Sequence, residues 1–274
     1  MTNEHDHGPG GDEQAGHQGH GGPGGLLVSE HGYTLTLDST IFDAGTRTVT
    51  FQITGPDGQP VTEFDPTHDK ELHLIAVNRD TTGFQHVHPV MDESGTWSTE
   101  LDLAPGSWRL VADFHPTGQA RTTTLGIDAA VGGPYDPRPL PEPNRTAQAG
   151  DYTVTLDGDL VPGEARALTL TVRRDGEPVI DLQPYLAAYG HLVALRVGDL
   201  GYLHVHPEGE PGDGTTTPGP DITFIVTTPS AGPYRLFLDF QHEDVVRTVE
   251  FTQHATGSAP DGGGEDSGGH GDHD

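Results

Sequence analysis

Apolar and polar residues alternate in TVTFQIT (48–54) and again in ALTLTVR (167–173). A two-residue period turns one face of an extended chain toward a core and the other toward water, so both segments read as β-strands. Pro-Asp-Gly (56–58) and Arg-Asp-Gly (174–176) follow directly, with residues suited to tight hairpin turns. LHLIAV, WSTELDL, SWRLVADF and ARTTTLGI predict further strands at short spacing, and no stretch carries a sustained helical period. About seven strands per hundred residues, broken by Gly and Pro, predict an all-β chain of immunoglobulin-like β-sandwich architecture. No Cys…Trp…Cys pattern marks a true immunoglobulin domain, so the expectation extends to the general architecture only.

The pattern occurs twice. YTLTLD (33–38) matches YTVTLD (152–157), DGQPV (57–61) matches DGEPV (175–179), and HLIAV (73–77) matches HLVAL (191–195). HVHP (86–89) matches HVHP (204–207), and WRLVADF (108–114) matches YRLFLDF (234–240). The offset is 118 residues for the middle three blocks, 119 for the first and 126 for the last. The jump of eight falls in EGEPGDGTTTPGP (208–220), which reads as an enlarged loop. Self-similarity of this kind predicts two tandem β-sandwich repeats, at 26–128 and 151–254. Residues 129–150 hold five prolines between 134 and 143 and read as a stiff linker. Residues 1–25 and 255–274 are rich in Gly, His and acids with little apolar to bury, and are expected to be disordered.

Charge and composition then exclude several functions. The 274 residues include 42 Asp plus Glu against 13 Lys plus Arg, a formal charge of −29. Such a surface repels nucleic acid and anionic membranes and attracts cations. Without cysteine there is no disulfide, thiolate ligand or thiol catalysis, so a metal would be held by nitrogen and oxygen. No stretch reaches membrane-spanning length, so no membrane insertion is expected. The first residues also lack the positive start and apolar core of a signal peptide.

The candidate chemistry is in the histidines. Residues i and i+2 of a strand face the same way, so His86 and His88 present adjacent imidazoles while Val87 faces the other side. His204 and His206 repeat the pair. His73 and His191 each lie 13 residues upstream, an interval that fits one strand, a turn and a return strand. Asp113 and Asp239 follow in matching strands, as a carboxylate ligand, a partner of Arg109 or Arg235, a loop tether, or a support that orients an imidazole. The three histidines keep their spacing in both halves while neighbours differ, Gln85 against Leu203 and Phe84 against Tyr202. Packing alone rarely demands imidazole at three places, which points to a divalent transition metal. Repeat 1 adds His68 and His115 as further candidates, where repeat 2 has Leu186 and Gln241, with His242 one step out of phase. His31 and His254 read as surface residues at domain edges. The His-rich tails read as looser metal-capturing tracts.

The stretch from FDPTHDKELHL through FQHVHP to WRLVADF, with its companion YLAAYGHLVAL…YLHVHP…RLFLDFQH, resembles a bacterial domain of exported or membrane-tethered proteins. Those proteins are described as heavy-metal-associated and are grouped with copper-handling genes. The resemblance covers nearly all of 26–253. It implies roles in metal handling for His68, His73, His86, His88 and Asp113, and for His191, His204, His206 and Asp239. It also implies an extracytoplasmic setting, although the chain shows no export signal. The expected function is therefore binding a transition metal for buffering, sequestration or transfer, Cu(II) first and Zn(II) second, with metal ions and a metal-delivery protein as partners. Imidazole sites bind Cu(II) most tightly in the divalent series. Binding is expected to weaken below about pH 6 as imidazoles protonate.

Three alternatives remain. HVH on such a fold is similar to copper–zinc superoxide dismutase, but the disulfide and the long zinc loop are missing. Gly198, His204, His206 and Glu210 fit half of a cupin oxygenase pattern, and His86, His88 and Glu93 fit less of it. A structural or adhesion module with non-ligand histidines is the third. No nucleophile triad, phosphate loop or spaced acid pair marks another enzyme.

Overall fold

The computed structural model describes residues 22–203 and 205–257, with the backbone alone for His206. Its described residues form strands, turns and irregular segments with no helix. Among the described residues no helix is long and apolar enough to cross a membrane.

The first repeat contains β1 (Ser29–Glu30), β2 (Tyr33–Leu37), β3 (Ile41–Asp43), β4 (Gly45–Thr54), β5 (Leu72–Asn78), β6 (Gln85–Val87), β7 (Val90–Met91), β8 (Thr96–Leu103), β9 (Gly106–Phe114) and β10 (Thr123–Gly132). They make two five-stranded sheets, β1-β2-β4-β8-β7 and β3-β10-β9-β5-β6. The second repeat contains β11 (Thr146–Ala149), β12 (Tyr152–Asp157), β13 (Ala165–Arg174), β14 (Glu177–Pro178), β15 (His191–Arg196), β16 (Gly201–Leu203), β17 (His206–Pro207), β18 (Asp221–Thr227), β19 (Gly232–His242) and β20 (Val245–Ala255). Its sheets run β11-β12-β13-β18-β17, with β14 on β13, and β16-β15-β19-β20. The chain is a pair of tandem β-sandwiches.

Each sandwich closes over its own core. Leu35, Phe51, Ile53 and Trp97 of one sheet meet Leu74, Trp108, Leu110 and Phe114 of the other in repeat 1. Tyr152, Leu170 and Phe224 meet Leu192, Leu236 and Phe240 in repeat 2. The Asp-Gly turn after β13 forms as its sequence predicts, with Asp175 and Gly176 at φ 50° and 88° and Arg174 paired to Glu177.

The connection between repeats is shorter than its proline content suggests. β10 continues to Gly132 because Ala129 and Val131 still alternate into the core, and β11 begins at Thr146. The linker is therefore 133–145 rather than 129–150. The segment 22–25, expected to belong to a disordered tail, is ordered between the repeats; residues 1–21 and 258–274 lie outside the described residues. Gly24 exchanges two backbone hydrogen bonds with Tyr202 of repeat 2, at 2.8 and 3.0 Å. Gly25 N donates to Thr124 O in repeat 1. Arg109 donates to the carbonyls of Gly25 and Leu26 at 2.6 and 2.7 Å. Gly126 is required here, since a Cβ on it would stand 1.9 Å from the Gly25 oxygen.

The strands β5, β9, β15 and β19 are buried on both faces. β5 is buried along its whole length, with Leu72, Leu74 and Ala76 in its own core. Ile75 and Val77 of β5 and Val111 of β9 instead join Val193, Leu195, Tyr202 and Phe237 of repeat 2 in a third apolar cluster. By the repeat offsets, Ile75 corresponds to Val193, Val77 to Leu195 and Val111 to Phe237. Equivalent faces of the two repeats are thus packed on each other. Phe84 stacks on Phe237, with ring centroids 3.9 Å apart and planes 5° from parallel.

Candidate metal centre

The outer face of β5 carries His73 beside this interface. β5 and β6 pair with Ile75 opposite His86, so antiparallel register brings the stretch after Val87 back toward His73. The chain leaves β6 after Val87 and enters the other sheet at β7, and Pro89 falls at this crossing. A proline cannot donate to a ladder, which suits it to the point where the chain changes sheets. The motif His-Val-His-Pro is thus a strand end: His86 on the ladder, Val87 against the core, His88 just past it.

The result is three converging imidazoles. His73 Nδ1 lies 3.0 Å from His86 Nε2 and 3.2 Å from His88 Nε2. Among the described residues, these three form the group whose potential ligand atoms all lie within 4.8 Å of one another. Three nitrogens bound to one ion at 2.0–2.1 Å would be about 2.9 Å apart at right angles and about 3.3 Å apart in a tetrahedron. The separations of 3.0 and 3.2 Å lie in that range, so the triad could hold a metal ion.

Two of the three rings, His73 and His86, are oriented from behind. His73 Nε2 donates to Thr67 O at 2.8 Å, because a carbonyl can only accept. Its Nδ1 therefore keeps its lone pair, directed at the other two rings. The same carbonyl accepts Lys70 N across a two-residue turn in which His68 and Asp69 have φ of 50° and 62°. Repeat 2 reproduces the device: His191 Nε2 donates to Tyr185 O at 2.8 Å, and Leu186 and Ala187 have φ of 53° and 60°. Left-handed pairs without glycine are costly, and both repeats retain one at the same place.

His86 is oriented by the other repeat. Its Nδ1 lies 2.9 Å from Asp239 Oδ2, and the two side chains are 5% and 6% exposed. Asp239 Oδ1 accepts from Thr248 Oγ1 at 2.5 Å. The carboxylate thus faces His86 Nδ1, with Nε2 turned to the triad. Asp113, expected beside His73, is its cross-strand neighbour but lies outside the group of three. Its Oδ1 accepts from Thr124 at 2.6 Å, and the Tyr202 hydroxyl is 3.5 Å from Oδ2. Arg109 and Arg235 pair with Asp128 and Glu250 instead, so neither aspartate serves as an arginine's partner.

More imidazoles surround the triad. His68 at its turn tip is 6.1 Å from His73 and 5.2 Å from His191, ring to ring, and His191 is 6.4 Å from His86. Tyr185 packs between His88 and His191, at 6.4 and 5.9 Å. Histidines of both repeats thus share one region. His204 and the side chain of His206 lie outside the described residues. His115 is elsewhere: β9 ends at Phe114, so strand alternation no longer applies, and His115 Nε2 donates to Gln119 O. His242 is buried between Tyr152 and Asp181, at 2.7 and 3.1 Å, away from the triad. A cleft lined by Pro66, His68 and Asp69 of repeat 1 and Pro207, Gly209 and Glu210 of repeat 2 borders this region with two carboxylates at its rim.

Burial favours the neutral form of His73, His88 and His191. Desolvation lowers the pKa of His73 to about 4, against the opposing bond to Thr67 O. It lowers His191 to about 4 and His88 to about 3, with further lowering by neighbouring imidazoles. Neutral imidazole is the ligating form. For His73 and His88, proton competition therefore begins well below the pH 6 that unperturbed histidines imply.

A family model described as Domain of unknown function (DUF8832) matches the chain twice, over residues 28–131 and 146–257. No curated protein matches. Among solved structures, a Salmonella alpha-2-macroglobulin mutant is 14% identical with a TM-score of 0.28, over 84% of this chain and 15% of that one. The Yersinia pseudotuberculosis adhesin InvE is 14% identical with a TM-score of 0.25, over 83% and 60%. The D0-D1 domain of Intimin is 11% identical with a TM-score of 0.24, over 81% and 96%. The chain thus spans less than two thirds of the first two proteins.

Proposed function

The chain belongs to this family of unknown function through both of its sandwiches, and on that frame we propose that it is a transition-metal binding protein. His73, His86 and His88 hold a divalent ion for buffering, sequestration or transfer. The observation that carries this reading is the convergence of the three ring nitrogens at 3.0 and 3.2 Å, with His73 and His86 oriented from behind. Cu(II) is favoured and Zn(II) comes second, because a neutral three-imidazole set follows the divalent affinity series and no thiolate is present. The acidic surface raises the local cation concentration. The function is binding rather than catalysis; the cupin pattern has no counterpart in the way this triad draws its third histidine from the upstream strand β5.

The test is a Cu(II) titration of the full chain in competition with a chelator, beside the triple variant His73→Ala, His86→Ala, His88→Ala. The variant carries the same tails and supplies their background. The expected result is a tight equivalent in the parent that the variant lacks. Equal binding by the two proteins would leave the triad as structural histidines.

A further inference from the structure

We propose that the centre is shared between the repeats: Asp239 of repeat 2 is the positioning residue for His86 of repeat 1, so ion binding and docking of the repeats are coupled. This rests on the metal-binding reading above and adds how the site is assembled and regulated.

The geometry is direct. Asp239 Oδ2 is 2.9 Å from His86 Nδ1, from a residue 153 positions away in the other sandwich. A carboxylate accepting from one ring nitrogen sets the tautomer, turns the opposite nitrogen to the ion and makes it a better donor. Thr248 holds the second oxygen of Asp239, so the carboxylate cannot rotate away without losing a bond.

The surroundings explain why this carboxylate matters for docking. Asp239 alternates with Phe237 and Arg235 on the outward face of β19, and Phe237 is in the apolar cluster that joins the repeats. The nearest arginine of that face, Arg235, is engaged with Glu250 and Thr252. A buried carboxylate in such a setting needs compensating charge, and hydrogen bonds from the His86 ring and the Thr248 hydroxyl supply only part of it. A divalent ion on the far side of His86 supplies the rest. The ion therefore interacts more favourably with the docked pair of repeats than with repeat 1 alone. By linkage, docking must raise ion affinity by the same factor that the ion raises docking. The sequence hides this arrangement, because it places Asp239 with the histidines of its own repeat.

The test uses the full chain, with Cu(II) as the probe. Affinity is measured by chelator competition, and nitrogen ligation by electron paramagnetic resonance. Asp239→Ala is expected to weaken the triad site about 10- to 100-fold while the bound ion keeps the parent nitrogen pattern, because the ligands remain. Asp239→Asn keeps an acceptor oxygen for His86 and removes only the charge; a loss of about tenfold is expected. It carries the test alone if the alanine variant does not fold. Folded Asp239 variants binding within about twofold of the parent would overturn the coupling, provided the triple-histidine variant has lost the site. If the triple variant itself binds like the parent, the metal reading fails, and it fails independently of Asp239.

Discussion

His73 is constrained at both ring nitrogens, by the Thr67 carbonyl behind and two imidazoles in front. Its partner in sequence, His191, is held by the Tyr185 carbonyl in the same way. Burial depresses both from 6.5 to about 4. The unfolded chain therefore binds these protons first as pH falls. Stability associated with the neutral rings is present above pH 6.5 and is lost as pH falls through about 4. Each shift corresponds to about 3 kcal/mol at most. Urea unfolding of metal-free protein between pH 7 and 4 is expected to show the midpoint falling across this window. In His191→Gln, whose amide does not titrate, the fall should be smaller. The candidate histidines were legible in sequence because duplication preserved their spacing. The Thr67 and Tyr185 carbonyls were not, since a backbone acceptor leaves no residue-type signature.

At the scale of elements, the HxHP motif works because β6 ends where the chain crosses between sheets. Alternation predicted β5 and β6 and the facing of His86 against Val87. It did not extend to His115, because β9 stops at Phe114. It also missed the short strap at 22–25, whose Gly-Pro-Gly-Gly sequence carries no apolar side chain of strand-forming type. That strap hydrogen-bonds to both repeats and passes over Gly126 with no room for a side chain. Gly126→Ala is expected to displace it, costing on the order of 1–3 kcal/mol. Limited proteolysis should then cleave within residues 22–28 faster than in the parent, with both sandwiches left intact. Unchanged cleavage would mean the strap tolerates the shift.

At the scale of the molecule, two sandwiches with separate cores are joined through equivalent faces. Phe237 is fully buried there against Phe84. Phe237→Ala is expected to cost about 3–5 kcal/mol, read from the urea midpoint. It should also weaken Cu(II) binding if the centre is shared. Conversely, Cu(II) at about 100 times its dissociation constant should stabilise the parent by about 2.7 kcal/mol. Differential scanning calorimetry should register this as a higher midpoint, reversed by chelator and absent in the triple-histidine variant.

The sequence by itself determined the class of each element, the duplication and the residues worth watching. Period-two alternation, turn residues and spacing are local properties, and two copies reveal which positions are held constant. Which repeat supplies which group was decided only by the tertiary structure. Asp113 and Asp239 have equivalent contexts in the chain, and nothing local tells a carboxylate to serve its neighbour's histidine. That assignment follows from burying Ile75, Val77 and Val111 against Val193, Leu195 and Phe237. Packing of those apolar faces brings Asp239 to His86.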